Sequence, residues 1–254
     1  MANESEKELA GRAAAKLVRD GDIVGLGTGS TAYFAVVAIG ERVSAGLKIT
    51  GIPTSDATAE LACRLGIPLS TLGEHQSIDI TIDGADEIDP HLNLIKGGGG
   101  ALLREKIIAT ASKKMVVVAD STKIVKALGK FPLPVEIIPF ARAVLEKQIA
   151  SLGATCKLRT KSDGSVFVTD EGHHILDCSF GKIPNPPKLA RALNEMPGVV
   201  EHGLFIEIAE VALVGKGSLV VEVRPRTSTA TAVRTNSRPK RVRPKQKSRK
   251  RLRP

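Results

Sequence analysis

An α/β fold is expected: a Rossmann-like parallel sheet domain followed by a second, smaller α+β (ferredoxin-like) domain. Three observations predict it. Up to residue 128, segments with helical and strand spacing alternate, the pattern of a parallel sheet covered on both faces. A strand end and a short apolar run lead into glycine clusters that open helices, at 25–31 and 97–100. Beyond the proline-punctuated run GKFPLPVEIIP at 129–139, the order changes to helix, short strands, helix.

The first unit reads as follows. The charged start MANESEKELAGRAAAKLV carries a helix over 4–19 and no apolar signal-peptide region. A strand at 22–26 ends in GLGTGST, which opens a helix at 30–42. A strand at 47–51, a helix at 55–65 and a strand near 69–71 follow. SIDITI alternates polar and β-branched residues and gives a strand at 78–82, then a turn-like Asp83-Gly84-Ala85-Asp86. A helix at 101–112 and a strand at 115–119 complete the alternation. Residues 140–152 and 187–194 read as helices, with short strands at 156–159, 166–169 and 174–178 separated by Ser162-Asp163-Gly164 and Asp170-Glu171-Gly172. Val199–Phe205 and Glu210–Val214 lead back to the first unit. The expected domains are 1–128 with 204–223, then 129–203, then a basic tail at 224–254.

The stretch 80–110 is chemically dense. It holds Asp83, Asp86, Lys96, the glycines Gly97–Gly100, and the cluster Arg104, Glu105, Lys106. Buried charges need partners and glycines are costly to order, so an ordinary core gains nothing from this composition. A small polar substrate would give the charges a purpose. Asp83 and Asp86 fall at the carboxyl end of a strand, where open α/β sheets place ligands; an Asp-Gly turn with a helix cap is the plain alternative. The four glycines let backbone approach a ligand and present N–H groups to an anion. Glu105 lies one turn into the following helix. It could cap that helix, pair with Lys106, or point back over the loop as a general base. At Gly25–Thr31 the strand, Gly/Ser/Thr turn and helix form a cradle for a terminal phosphate. The spacing is not a dinucleotide fingerprint, and the lysine of a P-loop is missing.

Together these segments resemble the type A ribose-5-phosphate isomerase family: GLGTGST at 25–31, PTSDAT at 53–58, DGADEID at 83–89, KGGGGALLREK at 96–106, ADSTK at 119–123 and GKFPLPVEIIP at 129–139. Their order matches from near residue 1 to about 215; the extended ending departs from the family pattern. The resemblance implies interconversion of D-ribose 5-phosphate and D-ribulose 5-phosphate through an enediolate, in the non-oxidative pentose phosphate pathway. It implies that Thr28, Gly29, Ser30 and Thr31 hold the phosphate. Asp83, Gly84, Ala85 and Asp86, with Lys96, Gly97, Gly98 and Gly99, would line the sugar. Glu105 would transfer the proton, Lys96 would steady the oxyanion, Asp83 would shuttle a hydroxyl proton, and Lys123 would be a further substrate contact. A related deaminase or coenzyme A transferase is the nearest rival, and a sugar-phosphate-sensing regulator the more distant one.

Composition narrows the class. The 254 residues are 42% hydrophobic but only 3% aromatic, with no Trp, so the core rests on Ala, Val, Ile and Leu. No apolar run reaches the roughly 18 residues of a membrane span; a cytoplasmic location is expected, and the resemblance implies a homodimer. Cys63, Cys156 and Cys178 fit neither a disulfide framework nor zinc pairs, and the five histidines form no metal pattern; neither metal nor cofactor is expected. The net charge of +10 belongs to one segment. Arg224–Pro254 holds 13 Lys and Arg and no acid, leaving 24 basic and 27 acidic residues elsewhere, a net of −3. That tail lacks apolar periodicity and reads as disordered; electrostatic contact with nucleic acid, a solvated extension and a misread gene end all remain open.

Overall fold

The computed structural model describes residues 2–225; the disorder and nucleic-acid readings of the tail lie outside the described residues, beyond its first two positions. Its main sheet has six strands. In chain order these are β1 (Ile23–Leu26), β2 (Thr50–Pro53), β3 (Ile80–Gly84), β6 (Met115–Asp120), β12 (Val211–Lys216) and β13 (Leu219–Val223). The two-residue strands β4 (Glu87–Ile88) and β5 (Leu94–Ile95) fall between β3 and β6. The spatial order is β13-β12-β6-β3-β1-β2, all parallel except β13. Counted along the five parallel strands, this is the doubly wound 2-1-3-4-5 order, whose switch point lies between β1 and β3.

Helices cover both faces. On one side, α1 (Ala2–Ala15) and α2 (Ala32–Ser44) pack Ala10, Ala14, Ala35, Val36 and Ile39 onto Val24, Leu26, Val116 and Val118. Small residues on both helices permit this close approach, in keeping with a core without Trp. α3 (Asp56–Arg64) follows β2, its first turn capped by Ser55, whose hydroxyl accepts from Thr58 N. On the other side, α4 (Leu102–Thr110) places Ile108 with Ile52 and Ile78. A third apolar cluster, with Leu94, Met115, Val117 and Phe205, fills the space beneath the short strands.

The second unit is a four-stranded antiparallel sheet in the order β10-β7-β9-β8. It runs β7 (Leu133–Ile137), α5 (Arg142–Ser151), β8 (Thr155–Leu158), β9 (His174–Ser179), α6 (Pro186–Asn194), β10 (Val199–His202). That β-α-β-β-α-β sequence with order 4-1-3-2 is the split βαβ arrangement of ferredoxin-like units. A last short strand, β11 (Leu204–Phe205), pairs with β5, which also pairs with β4.

Several readings are corrected. β3 runs through Asp83 and Gly84, so these continue a strand instead of beginning a turn. Residues 166–169 and Leu69 make only isolated bridges. Val199–His202 pairs with β7 in the small sheet; only β11 and the strands after it leave that sheet. The proline-rich 129–139, not assigned a strand from the sequence, holds the interior strand Leu133–Ile137. Pro134 is tolerated there for a specific reason. Gly203 N donates to the Pro134 carbonyl at 2.7 Å, and the Gly203 carbonyl accepts from Lys96 N at 2.9 Å instead of from the N–H that proline lacks. A β-carbon on Gly203 would meet the Lys96 carbonyl at 2.2 Å, so only glycine fits the junction.

Candidate active site

The chemistry collects at the carboxyl ends of β1 and β3, the switch point of the sheet. One cleft there is lined by Thr28–Thr31, Gly84–Asp86, Lys96–Gly99, Glu105 and Lys123. Asp83 lies directly beneath, fully buried. A larger groove of about 650 Å³ beside Asp89, Lys126 and Lys182 lies away from these residues; the grouping of ionisable side chains, not volume, selects the site.

Its centre is a buried triad of charges. Lys96 Nζ lies 2.9 Å from Asp83 Oδ2 and 3.3 Å from Glu105 Oε1, and all three side chains are almost wholly buried. The aligned hydrogen bond of the ammonium goes to the Gly84 carbonyl at 2.7 Å. Glu105 Oε2 has no hydrogen-bond donor among the described residues, and Asp83 Oδ2 has only the ammonium beside it. Buried carboxylate oxygens are costly to leave unsatisfied, and both carboxylates flank the one ammonium. Asp83 Oδ1 is spent on structure: it accepts from Gly84 N at 2.7 Å and Thr28 N at 3.1 Å. The turn leaving β1 must pass close for this, and a β-carbon on Gly27 would meet Asp83 Oδ1 at 2.4 Å.

One cation among carboxylates leaves excess negative charge, and the protonation follows. Burial pushes the Glu105 carboxyl up to about 8, with Lys96 opposing and Asp83 and Asp86 adding to the rise. Burial also raises Asp83, again partly offset by Lys96. Burial pulls the Lys96 ammonium down, but Asp83 and Glu105 outweigh it and its pKa ends raised. The enclosure thus holds a protonated lysine and a carboxyl poised to gain or lose a proton near neutrality.

Of the three ionisable residues at 104–106, only Glu105 faces the cleft. Arg104 turns outward to Asp56 at 2.6 Å and Glu171 at 2.6 Å. Lys106 turns to Glu201 at 2.6 Å and the His202 carbonyl. The acids of 83–89 divide in the same way. Asp86 Oδ2 accepts from Gly98 N at 2.8 Å at the cleft rim. Glu87 accepts from Gly129 N and Phe131 N, and Asp89 from His91 N and Asn93 N, so both brace loops away from the cleft.

At the other end, Thr28 Oγ1 meets Thr54 Oγ1 at 2.6 Å, Ser55 Oγ at 2.7 Å and Thr58 Oγ1 at 3.0 Å. This hydroxyl cluster holds the turn that leads to Gly29-Ser30-Thr31. Thr31 precedes α2 without a side-chain cap; Tyr33 N and Phe34 N already donate to the Gly29 and Thr31 carbonyls, so an anion would meet the N–H groups of the turn before them. Lys7 Nζ reaches across from α1 to Ser30 Oγ at 2.9 Å. Lys7 is a residue that sequence reasoning missed, since nothing in the pattern of a first helix marks one lysine as special. Arg159 was missed likewise; it donates to the carbonyls of Gly97 and Gly98.

Comparison with known proteins bears on the family and the fold. Residues 50–247 match the family model of ribose 5-phosphate isomerase A (phosphoriboisomerase A). A ribose-5-phosphate isomerase A of Bradyrhizobium diazoefficiens is 55% identical over 230 residues, covering 86% of this chain and 95% of that protein. One from Parvibaculum lavamentivorans is 53% identical over 227 residues, covering 86% and 98%. Among solved structures, a D-ribose-5-phosphate isomerase in complex with phospho-erythronic acid superposes with a TM-score of 0.86 at 37% identity, covering 88% of this chain and all of that one. The enzyme of Neisseria gonorrhoeae gives 0.83 at 37% identity, covering 89% and 99%.

Proposed function

The chain belongs to the ribose 5-phosphate isomerase A family and interconverts D-ribose 5-phosphate and D-ribulose 5-phosphate; we propose that Glu105, Lys96 and Asp83 carry the proton transfers. The observation behind this reading is a buried pair of carboxylates, Asp83 and Glu105, sharing one ammonium, with Glu105 Oε2 left without a donor among the described residues. Hydroxyl groups of a sugar would satisfy them.

In the open-chain aldose, ionised Glu105 removes the C2 proton and an enediolate forms. Negative charge develops on O1, where Lys96 and loop N–H groups stabilise it. Asp83 relays a proton between O2 and O1. Glu105 then returns its proton to C1, which gives the ketose. The proton count balances, no net oxidation occurs, and neither nicotinamide nor metal enters these steps. A base whose pKa lies near the working pH is effective in both directions, and one so positioned is worth roughly 10²–10⁴ in rate. Gly29–Thr31 with Lys7 would hold the phosphate, Asp86 and Gly84–Ala85 the sugar hydroxyls, and Lys123 the far rim.

The experiment is isomerisation in D₂O. Transfer through an enediolate should introduce solvent deuterium into the product, and Glu105→Gln should slow conversion roughly 10²–10⁴-fold. Deuterium in the product would exclude a hydride shift, and wild-type conversion by Glu105→Gln would remove Glu105 from the mechanism.

The two sheets are proposed to be two domains, 1–128 with 204–223 and 129–203. A homodimer is proposed because Phe140, 99% exposed, stands with Ile138 and Val144 in one apolar surface patch. No helix of the described residues is long and apolar enough to cross a membrane, and a cytoplasmic location is proposed with the metabolic role. The basic segment from Arg224 is proposed to act apart from catalysis, with phosphate-backbone contact its candidate role.

A further inference from the structure

Arg159 belongs to none of the recurrent motifs, yet it links the small sheet to the glycine loop. It follows β8, and its side chain is largely buried. Nε donates to Asp177 Oδ2 at 3.0 Å, and Nη2 donates to Asp177 Oδ1. This two-pronged grip fixes the plane of the guanidinium. Nη1 then donates to the carbonyls of Gly97 at 2.8 Å and Gly98 at 3.2 Å. Phe167 lies against the guanidinium, 5.9 Å from ring centre to Cζ.

A trans peptide is planar, so its N–H points opposite its carbonyl. Holding two successive carbonyls on the Arg159 side therefore sets two N–H directions. That of Gly98 goes to Asp86 Oδ2 at 2.8 Å. That of Gly99 has no hydrogen-bond partner among the described residues, and Gly99 lines the cleft with Lys96 and Glu105.

We propose that Arg159 is a positioning residue for the isomerisation: it turns the Gly98 carbonyl away from the cleft and so aims the Gly99 N–H at the oxygen that becomes negative. This rests on the reading of Glu105 as the base. Glycine peptides flip easily because no β-carbon restricts them. Without the guanidinium, the Gly98–Gly99 peptide is free to present its carbonyl to the developing enediolate, which it would repel. A merely structural arginine would staple the sheet to the loop and leave turnover of the folded enzyme alone.

The test uses full-length Arg159→Met and Arg159→Lys beside Glu105→Gln. The readouts are kcat, KM for ribose 5-phosphate, inhibition by phospho-erythronic acid and Tm. The carboxylate of that acid stands in for the enediolate oxygens. Arg159→Met should lower kcat roughly 10–100-fold, somewhat less than loss of an oxyanion donor itself. KM should change little, and the inhibition constant should rise in step with the fall in kcat. Arg159→Lys, which keeps a cationic donor, should recover part of both. Wild-type kcat and inhibition in both variants, a loss of Tm alone, or a rise in KM alone would overturn the proposal. If Arg159→Met fails to fold, Arg159→Lys decides, and wild-type turnover in it is disproof. Glu105→Gln separates the two readings. An active Glu105→Gln beside impaired Arg159 variants refutes the base, whereas an inactive one beside unimpaired Arg159 variants refutes the positioning role.

Discussion

Glu105→Gln should make the protein more stable while it destroys activity, and the gain should grow with pH. The carboxyl ordinarily ionises near 4.5 and is pushed up to about 8 here, by burial first, with Lys96 pulling it partly back. Its folded value lies above its unfolded one. The protonated form therefore favours the fold, fully below about pH 4.5, and that contribution is lost as pH rises through about 8. Each decade is worth about 1.4 kcal/mol, so carrying the ionised carboxylate costs at most on the order of 5 kcal/mol by pH 9. The amide escapes this cost. It also deprives Lys96, 3.3 Å away, of a counter-charge, which returns part of the gain. A net gain of about 1–3 kcal/mol at pH 9 remains, or roughly 3–10 °C in Tm for a chain of this size. Thermal unfolding of both proteins at pH 5, 7 and 9 measures it, with turnover followed in parallel. The amide variant should pull ahead as pH rises, and kcat should fall roughly 10²–10⁴-fold. A stability difference that is independent of pH, or that favours the wild type more at pH 9 than at pH 5, would refute the account of the buried charge.

Four further outcomes are expected. Activity should survive exhaustive chelation, because Lys96 supplies the electrophile; a loss restored by divalent metal would contradict this. Alanine at both Ser30 and Thr31 should raise KM for ribose 5-phosphate strongly, and an unchanged KM would place the phosphate elsewhere. Gly203→Ala, whose β-carbon would sit 2.2 Å from the Lys96 carbonyl, should lower both Tm and kcat, and a silent substitution would show that the junction does not hold Lys96. A chain ending at Val223 keeps β13 and should retain turnover while losing any salt-sensitive nucleic-acid affinity, since Lys and Arg contacts to phosphates release counterions; an inactive truncation would make the tail part of the fold.

The sequence showed the parallel sheet and its cleft because their signals are local. Alternating apolar spacing, a glycine turn at a strand end and carboxylates beside a lysine can each be read within a dozen residues. What stayed hidden depends on distance along the chain. The contact of Lys7 with Ser30 and the reach of Arg159 to Gly97 and Gly98 join residues 23 to 62 positions apart. No periodicity records such pairs. Leu133–Ile137 was obscured because proline argues against an interior strand, and the partner that makes Pro134 acceptable is Gly203. The edge strand Leu219–Val223 follows a tight turn at Gly217 and was not anticipated. Asp83 shows the limit of a turn signature: Asp-Gly is a strong turn pair, yet pairing with Val117 and Val118 carries β3 through it.

The junction of Pro134, Gly203 and Lys96 has a consequence for the growing chain. Every side chain assigned to catalysis lies before residue 124, and synthesis delivers them early. Yet the backbone of Lys96 is held by Gly203, and β6 gains its outer neighbour only when β12 arrives. A nascent or truncated polypeptide would hold the full set of reactive groups for seconds, at typical rates of roughly 5–20 residues per second, without the frame that aligns them. Competence for turnover should therefore appear late and abruptly during translation. Prematurely terminated products should be catalytically silent instead of weakly active.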